Sequence, residues 1–106
     1  MTKISVTEVP KAKFWPGDLY FTAAADRELV REDIIAAVKR HCAGDWGDVC
    51  PEDREANETA LAEGGRLFSV YQDRQGVKFW IITERDRSVT NVELHISRVM
   101  LSLQKC

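Results

Sequence analysis

A chain of 106 residues, 44% apolar and 30% charged, has the size and composition of one globular domain, residues 1–106, with a single modest core. Fifteen bases against seventeen acids leave a formal charge of −2. There is no general basic field of the kind that draws a protein to nucleic acid, so direct nucleic-acid binding is not expected. No stretch approaches the roughly eighteen apolar residues of a membrane span, and no apolar run of signal-peptide length follows Met1. A cytoplasmic protein without membrane association is expected.

In chain order, residues 3–9 alternate weakly through Ile4 and Val6 and end at Pro10, the pattern of a short edge strand or an ordered arm. Phe14-Trp15-Pro16-Gly17-Asp18 reads as a turn with aromatic residues beside it, because Pro-Gly suits the central positions of a type II turn. Leu19 to Ala23 has the aromatic and β-branched content of a strand. From Asp26 the period becomes helical: Val30, Ile34 and Val38 fall four apart, Ile35 and Cys42 complete the stripe, and Arg31, Glu32, Lys39 and Arg40 take the other side. Asp26 and Asp33 are the two candidate N-caps, and Asp26 to Glu32 can form a turn of its own. Gly44 supplies the stop, while Lys39, Arg40 and His41 suit the negative end of the helix dipole.

A second helix is expected over about 51–63, opened by Pro51 with Glu52 and Asp53 and closed by Gly64-Gly65. Its apolar seam is thin, only Ala56, Ala60 and Leu61, as in a surface helix. Three strands follow, Leu67 to Gln72, Val77 to Glu84 and Val89 to Ile96, joined by hairpin-length connections and so read as an antiparallel meander. In the middle run, Val77, Phe79 and Ile81 face one way and Trp80 and Ile82 the other, which marks a central strand. The run Val99, Met100, Leu101 and Leu103 fits a short helix or a further strand. The fold class is therefore α+β, an antiparallel sheet of about four strands with two helices packed on one face.

The stretch between the helices concentrates the unusual features. Residues 44–64 carry seven acids (Asp45, Asp48, Glu52, Asp53, Glu55, Glu58, Glu63) and one base, Arg54, a local balance of −6 that leaves +4 elsewhere. Two glycines bracket Asp45-Trp46, so a helix stop, a tight loop and a helix start fall between His41 and Arg54. Asp45, Asp48, Glu52 and Asp53 are ligand types for a hard cation, but the Asp-x-Asp-x-Asp-Gly calcium pattern is missing and acids at a helix start are expected from capping and the dipole. His41, Cys42, Cys50 and His95 match no zinc module. The three cysteines, Cys42, Cys50 and Cys106, contain no Cys-x-x-Cys pair and suit reduced thiols better than a disulfide framework.

Trp46 fits two roles: an exposed anchor for a partner, or, preferred, a plug between helices and sheet with its indole N–H on a carbonyl. The turn Thr83 to Ser88 either pairs Glu84 or Asp86 with Arg87 as an acid/base or anion site, or is held by its own ion pairs and an Asx-type bond from Asp86. No phosphate loop, no Gly-x-Ser-x-Gly and no nucleophile beside a His partner is present. The loop at 44–50 and the turn at 84–88 are expected at the same end of the domain, which brings Arg85 and Arg87 within reach of Asp45 or Asp48.

Arg40-His41, Gly44-Asp45-Trp46-Gly47-Asp48, Glu52-Asp53, Ala56-Asn57, Gly64-Gly65-Arg66-Leu67, Ser69-x-Tyr71 and the run Phe79-Trp80-Ile81-Ile82-Thr83-Glu84-x-Asp86-Arg87-Ser88-Val89-Thr90 resemble a family of small plasmid- and mobile-element-related bacterial proteins of unknown function. The resemblance covers roughly residues 34–94 and implies an accessory role on a mobile element, with no activity to carry over. The reading that results is a non-catalytic accessory protein that binds a protein partner through the Asp-Trp loop and the acidic helix. Asp45, Trp46, Asp48, Glu84, Asp86 and Arg87 are its binding residues, with no catalytic residue, metal or cofactor. Two alternatives stay open: a small metal-dependent hydrolase or nuclease using Asp45, Asp48, Glu84 and Asp86 with His41, and an inhibitor of a host restriction or CRISPR system, to which the −6 segment would lend a DNA-like charge.

Overall fold

The computed structural model describes residues 2–4 and 12–95. Its elements are β1 (Thr2–Ile4), β2 (Asp18–Phe21), α1 (Ala23–Glu28), α2 (Arg31–Cys42), α3 (Pro51–Glu63), β3 (Leu67–Gln72), β4 (Lys78–Thr83) and β5 (Val89–Leu94). The rest of the arm at 3–9 and the expected element at Val99 to Leu103 lie outside the described residues. The domain is α+β as expected, and the meander is present: β3 pairs β4 and β4 pairs β5, both antiparallel, with Ser69 opposite Ile81 and Ile81 opposite Val92. The sheet order is β1-β2-β5-β4-β3. β2 and β5 pair in parallel, Leu19 opposite Thr90 and Phe21 opposite Val92, so the sheet is mixed.

Two helices were expected, with Asp26 to Glu32 able to form a turn of its own, and the chain does divide there: a short helix ends at Glu28 before α2 begins at Arg31. Thr22 caps α1, its hydroxyl accepting from the Ala25 N–H at 3.1 Å. Leu29 and Val30 are extended, and the Val30 N–H donates to the Asp73 carboxylate, a residue forty-three positions away. Neither expected N-cap acts as one: Asp26 lies in the first turn of α1 and binds Arg31, while Asp33, in the first turn of α2, takes Arg74 in a two-point ion pair at 3.0 Å.

Strand alternation sorts the core. Leu19, Phe21, Tyr71, Phe79, Ile81 and Val92 meet Ala25, Leu29, Ile34, Ala37, Val38 and Cys42, so α1 and α2 cover one face of the sheet. A second cluster joins Val70, Trp80 and Ile82 to Trp46, Val49, Ala60 and Leu67. β4 feeds both clusters, as expected of a strand with neighbours on each side. Trp80 is fully buried, edge-on to Phe68 and to His95 at 5.0 and 5.1 Å between ring centres, and among the described residues no acceptor reaches its indole N–H.

The helix α3 lies along the outer edge of β3. An uncovered strand edge is a row of unpaired donors and acceptors, and this one is closed by two devices. The Asn57 side chain donates to the Phe68 carbonyl at 2.7 Å and accepts from the Phe68 N–H at 3.1 Å, copying a strand neighbour. Two residues on, the Val70 N–H donates to the Trp46 carbonyl at 3.2 Å, and the Val70 carbonyl accepts from the Asp48 N–H at 2.8 Å.

Candidate functional site

The loop that closes this edge is the Asp-Trp loop. After Cys42 the chain turns through Ala43, and the Asp45 N–H returns to the Arg40 carbonyl at 2.9 Å. The Asp45 carboxylate takes the Arg40 guanidinium through two bonds, at 2.7 and 3.3 Å, and also accepts from the Gly47 N–H at 3.2 Å. The Arg40 bonds hold the carboxyl below its ordinary range; burial opposes them, and the Gly47 N–H adds a smaller lowering effect. Arg40 itself lies over the Tyr71 ring, 4.7 Å from its centre, and the Tyr71 hydroxyl donates to the Asp45 carbonyl. Gly47 has φ +72°, and a Cβ there would overlap the Val70 carbonyl, so the close approach of loop to strand requires glycine.

Trp46 is 0% exposed. It stacks on Phe14 with ring centres 6.4 Å apart, meets the His41 ring edge-on at 5.6 Å, and donates its indole N–H to the Glu58 carboxylate at 2.7 Å. Burial withdraws it from any contact surface, so it is the plug and not the exposed anchor; its partner is a carboxylate of α3 where a carbonyl was expected.

His41 is no surface cation at a helix end. It is completely buried and joins a chain of hydroxyls: Nδ1 meets Ser69 Oγ, Nε2 meets Thr83 Oγ1 at 2.9 Å, Thr83 meets Thr90 Oγ1 at 2.7 Å, and Thr90 donates to the Pro16 carbonyl at 2.7 Å. Counting protons along the chain fixes the tautomer. Thr90 uses its proton on Pro16, so Thr83 must donate to Thr90; His41 must then carry its proton on Nε2, and Nδ1 accepts from Ser69. Burial first, and the charge of Arg87 second, push the His41 pKa down to about 3, so the ring is neutral at physiological pH. Burial pushes the Cys42 thiol up to about 12, which makes it unreactive. Cys50, by contrast with the reduced thiols expected, is disulfide-bonded.

The hairpin turn at 84–88 has a different logic from the one expected. Arg87 has φ +63°, a left-handed conformation that is costly for a residue with a side chain. Its guanidinium compensates by donating to four backbone carbonyls: Gly65, Glu84 and Arg85 through Nη1, and Ala60 through Nη2 at 3.0 Å. The helix α3 has no base in its last turn, so Arg87 brings to its negative end the cation that the helix lacks. Asp86 accepts from the Ser88 N–H and hydroxyl at 3.0 and 2.6 Å, the Asx-type arrangement, and those bonds hold its carboxyl below the ordinary range. Glu84 faces Arg66 at 3.4 Å.

The expected pairing of Arg85 or Arg87 with Asp45 or Asp48 is thus replaced: Asp45 takes Arg40, its neighbour across the helix end, and Arg87 takes carbonyls. Of the six candidate binding residues, Asp45, Asp48 and Asp86 are exposed, Glu84 and Arg87 half-buried, and Trp46 buried. The loop and turn are linked through the interior: Phe14 stacks on Trp46 on one side and lies 5.7 Å below the Arg87 guanidinium on the other. Among the described residues no three His, Cys, Asp or Glu side chains gather into a metal-binding group, and no helix there is long and apolar enough to cross a membrane. Asn57, Ser69, Thr83 and Thr90 organise this region; sequence reasoning quoted them as motif residues but gave them no role, which polar residues at inward strand or helix positions could have signalled. Comparison with family models, curated proteins and solved structures finds no match for this chain.

Proposed function

We propose that the protein is a non-catalytic interaction module, accessory to a bacterial mobile element, that binds a protein partner through the acidic surface formed by the Asp-Trp loop and α3. The observation that carries this reading is how the reactive side chains are employed. His41 is buried, neutral and bonded at both nitrogens; Arg87 is spent on carbonyls; Cys42 is buried. What remains at the surface is charge. Asp45, Asp48, Glu52 and Glu55 are exposed, and an open groove of about 530 Å³ runs along α3, lined by Glu52, Glu55, Ala56, Thr59, Ala60 and Gly64. Small residues between glutamates let another chain approach the helix closely, and a shallow groove of this kind suits a protein segment better than an enclosed small molecule. The resemblance to plasmid- and mobile-element proteins supports the accessory role.

The test is capture from a plasmid-bearing host with the wild-type chain and with Asp48→Asn, Glu52→Gln and Glu55→Gln combined. A partner retained by the wild type and lost with the neutralised surface is the expected result. A partner held equally by both, or turnover of phosphodiesters on adding Mg²⁺ or Mn²⁺, would overturn the reading.

A further inference from the structure

Cys50 is disulfide-bonded in a chain that holds three cysteines. Cys42 is free and fully buried in the core at the end of α2, its thiol pushed up to about 12 by that burial. Within one chain this leaves Cys106 to close the bond. Cys50 itself is half-buried and stands where the Asp-Trp loop passes into α3, at the N-cap position of that helix, where its side chain makes no capping bond. The covalent link is what that position contributes.

The segment that leads to Cys106 has a fixed start. The His95 N–H donates to the Lys78 carbonyl at 3.1 Å, and the His95 ring packs edge-on against Trp80 at 5.1 Å, so the chain leaves β5 on the Trp80 side of the sheet. On that side Trp80 pairs with Val70 and Glu93, and Ile82 with Phe68 and Asn91. The helices α1 and α2 cover the opposite face and α3 lies at the β3 edge, yet Trp80 is 0% and Ile82 4% exposed. To pass from His95 to Cys50 the chain must cross β4 and β3, about 10 Å of sheet, and then reach the loop beyond the β3 edge. Residues 96–106 are eleven in number, a span of about 16 Å as a helix and about 36 Å extended, so the reach exists in either form. They carry Ile96, Val99, Met100, Leu101 and Leu103 to lie on an apolar strip, and Arg98 and Lys105 with no acid. Lys105 adjoins Cys106, while Cys50 lies between the exposed Asp48 and Glu52, so the bond also draws opposite charges together.

We propose that Cys50 and Cys106 form a reversible clasp holding residues 96–106 as a strap across the Trp80 face of the sheet, and that the redox state of this bond decides whether the face is open. A dithiol reductant supplies two electrons and two protons, the S–S bond opens to two thiols, and the dithiol leaves as its own disulfide. The buried Cys42 takes no part in the exchange. Opening uncovers Phe68, Trp80 and Ile82 beside the start of α3, an apolar strip next to carboxylates.

The linkage is tested first, on the unreduced full chain. A protease that cuts at aspartate separates Cys42 from Cys50, and mass spectrometry is expected to find the Cys50 peptide joined to the Cys106 peptide, in protein that runs as a monomer on a non-reducing gel. The face is tested next, by exchange of the Trp80 indole N–H. Adding dithiothreitol should speed that exchange by about tenfold or more. Cys106→Ser and Cys50→Ser should each show the faster rate without reductant and no further response to it. Free thiols at Cys50 and Cys106 after treatment with oxidised glutathione, a bond from Cys50 to Cys42 or to a second copy, or an indole exchange rate that reduction leaves unchanged overturns the proposal.

Discussion

Two short loops each carry a tryptophan on a tightly fixed backbone, and they use it in opposite ways. In the Asp-Trp loop, Gly47 and the bonds to Val70 bring the chain so close to β3 that Trp46 has nowhere to go but inward, between Phe14, His41 and Glu58. In the turn before β2, Phe14 and Pro16 are the inward residues, and Trp15 between them is turned to solvent. A fixed backbone therefore says nothing by itself about which way a side chain faces. What decides it is which positions the neighbouring anchors occupy, and alternation does the rest.

The comparison breaks first at Trp46. Trp46→Ala removes a buried aromatic side chain and should cost about 3–5 kcal/mol, measured as a fall in the urea midpoint. Since the loop also closes the β3 edge, the variant should in addition associate through that edge at high concentration, visible by light scattering. A Trp46→Ala protein that melts with the wild type would mean that the loop does not depend on its plug.

The polar interior behind Trp46 predicts a pH dependence. The His41 pKa lies at about 3 in the folded chain against 6.5 for the ordinary group. The unfolded chain binds a proton in that window and the folded chain does not, so stability is complete above about pH 6.5 and falls as pH drops toward 3, by up to about 1.4 kcal/mol per unit. Asp33, Asp45 and Asp86 are depressed from 3.8 and act only below that, so the upper part of the window reports His41. Urea midpoints taken from pH 7 to 4.5 should slope in the wild type and flatten in His41→Asn. An unsloped wild type would show that the folded ring takes up a proton as readily as the unfolded one.

Smaller effects are expected where the edges and helix ends are closed. Arg87→Lys keeps the charge at the end of α3 but cannot fork to several carbonyls, and should cost about 1–2 kcal/mol. Asn57→Ala should cost a similar amount, because the Phe68 N–H and C=O lose a two-point partner. Amide exchange sharpens the distinction: Asn57→Ala should speed exchange at Phe68 while leaving the Ile81 amide, on the interior strand, near its wild-type rate.

Much of the fold was legible because it rests on periodicity. The four-apart run Ile34, Val38 and Cys42 gave α2, Pro51 and Gly64-Gly65 bounded α3, and the alternation through Phe79, Trp80, Ile81 and Ile82 marked an interior strand. What stayed hidden depends on partners far away in the chain. The Asp73 bond that holds the break at Leu29 and Val30, and the parallel pairing of β2 with β5, have no local signature. The site was read less well for the same reason. Arg87 and His41 look alike in sequence, as bases near motif residues, yet one is spread over α3's terminal carbonyls and the other is locked among threonines of β4 and β5. Charge alone could not separate them, because the distinction is burial, which only the assembled sheet creates.

The smallest expected effect on stability is the most telling, and it falls on Trp15. If the indole contributes little to the fold, Trp15→Ala should leave the urea midpoint within about 0.5 kcal/mol of the wild type, although the substitution removes the largest side chain in the genetic code. The anchors that hold this turn belong to its neighbours: the Phe14 ring on Trp46, the Pro16 carbonyl on Thr90 and the Gly17 contact with the Arg87 and Ser88 backbone all survive the change. Phe14→Ala, one residue earlier, is the internal control, since it empties the space between His41, Trp46 and the Arg87 guanidinium and should cost several times more. A loss of 2 kcal/mol or more at Trp15, on the order of a buried aromatic truncation, would place the indole against the body of the protein.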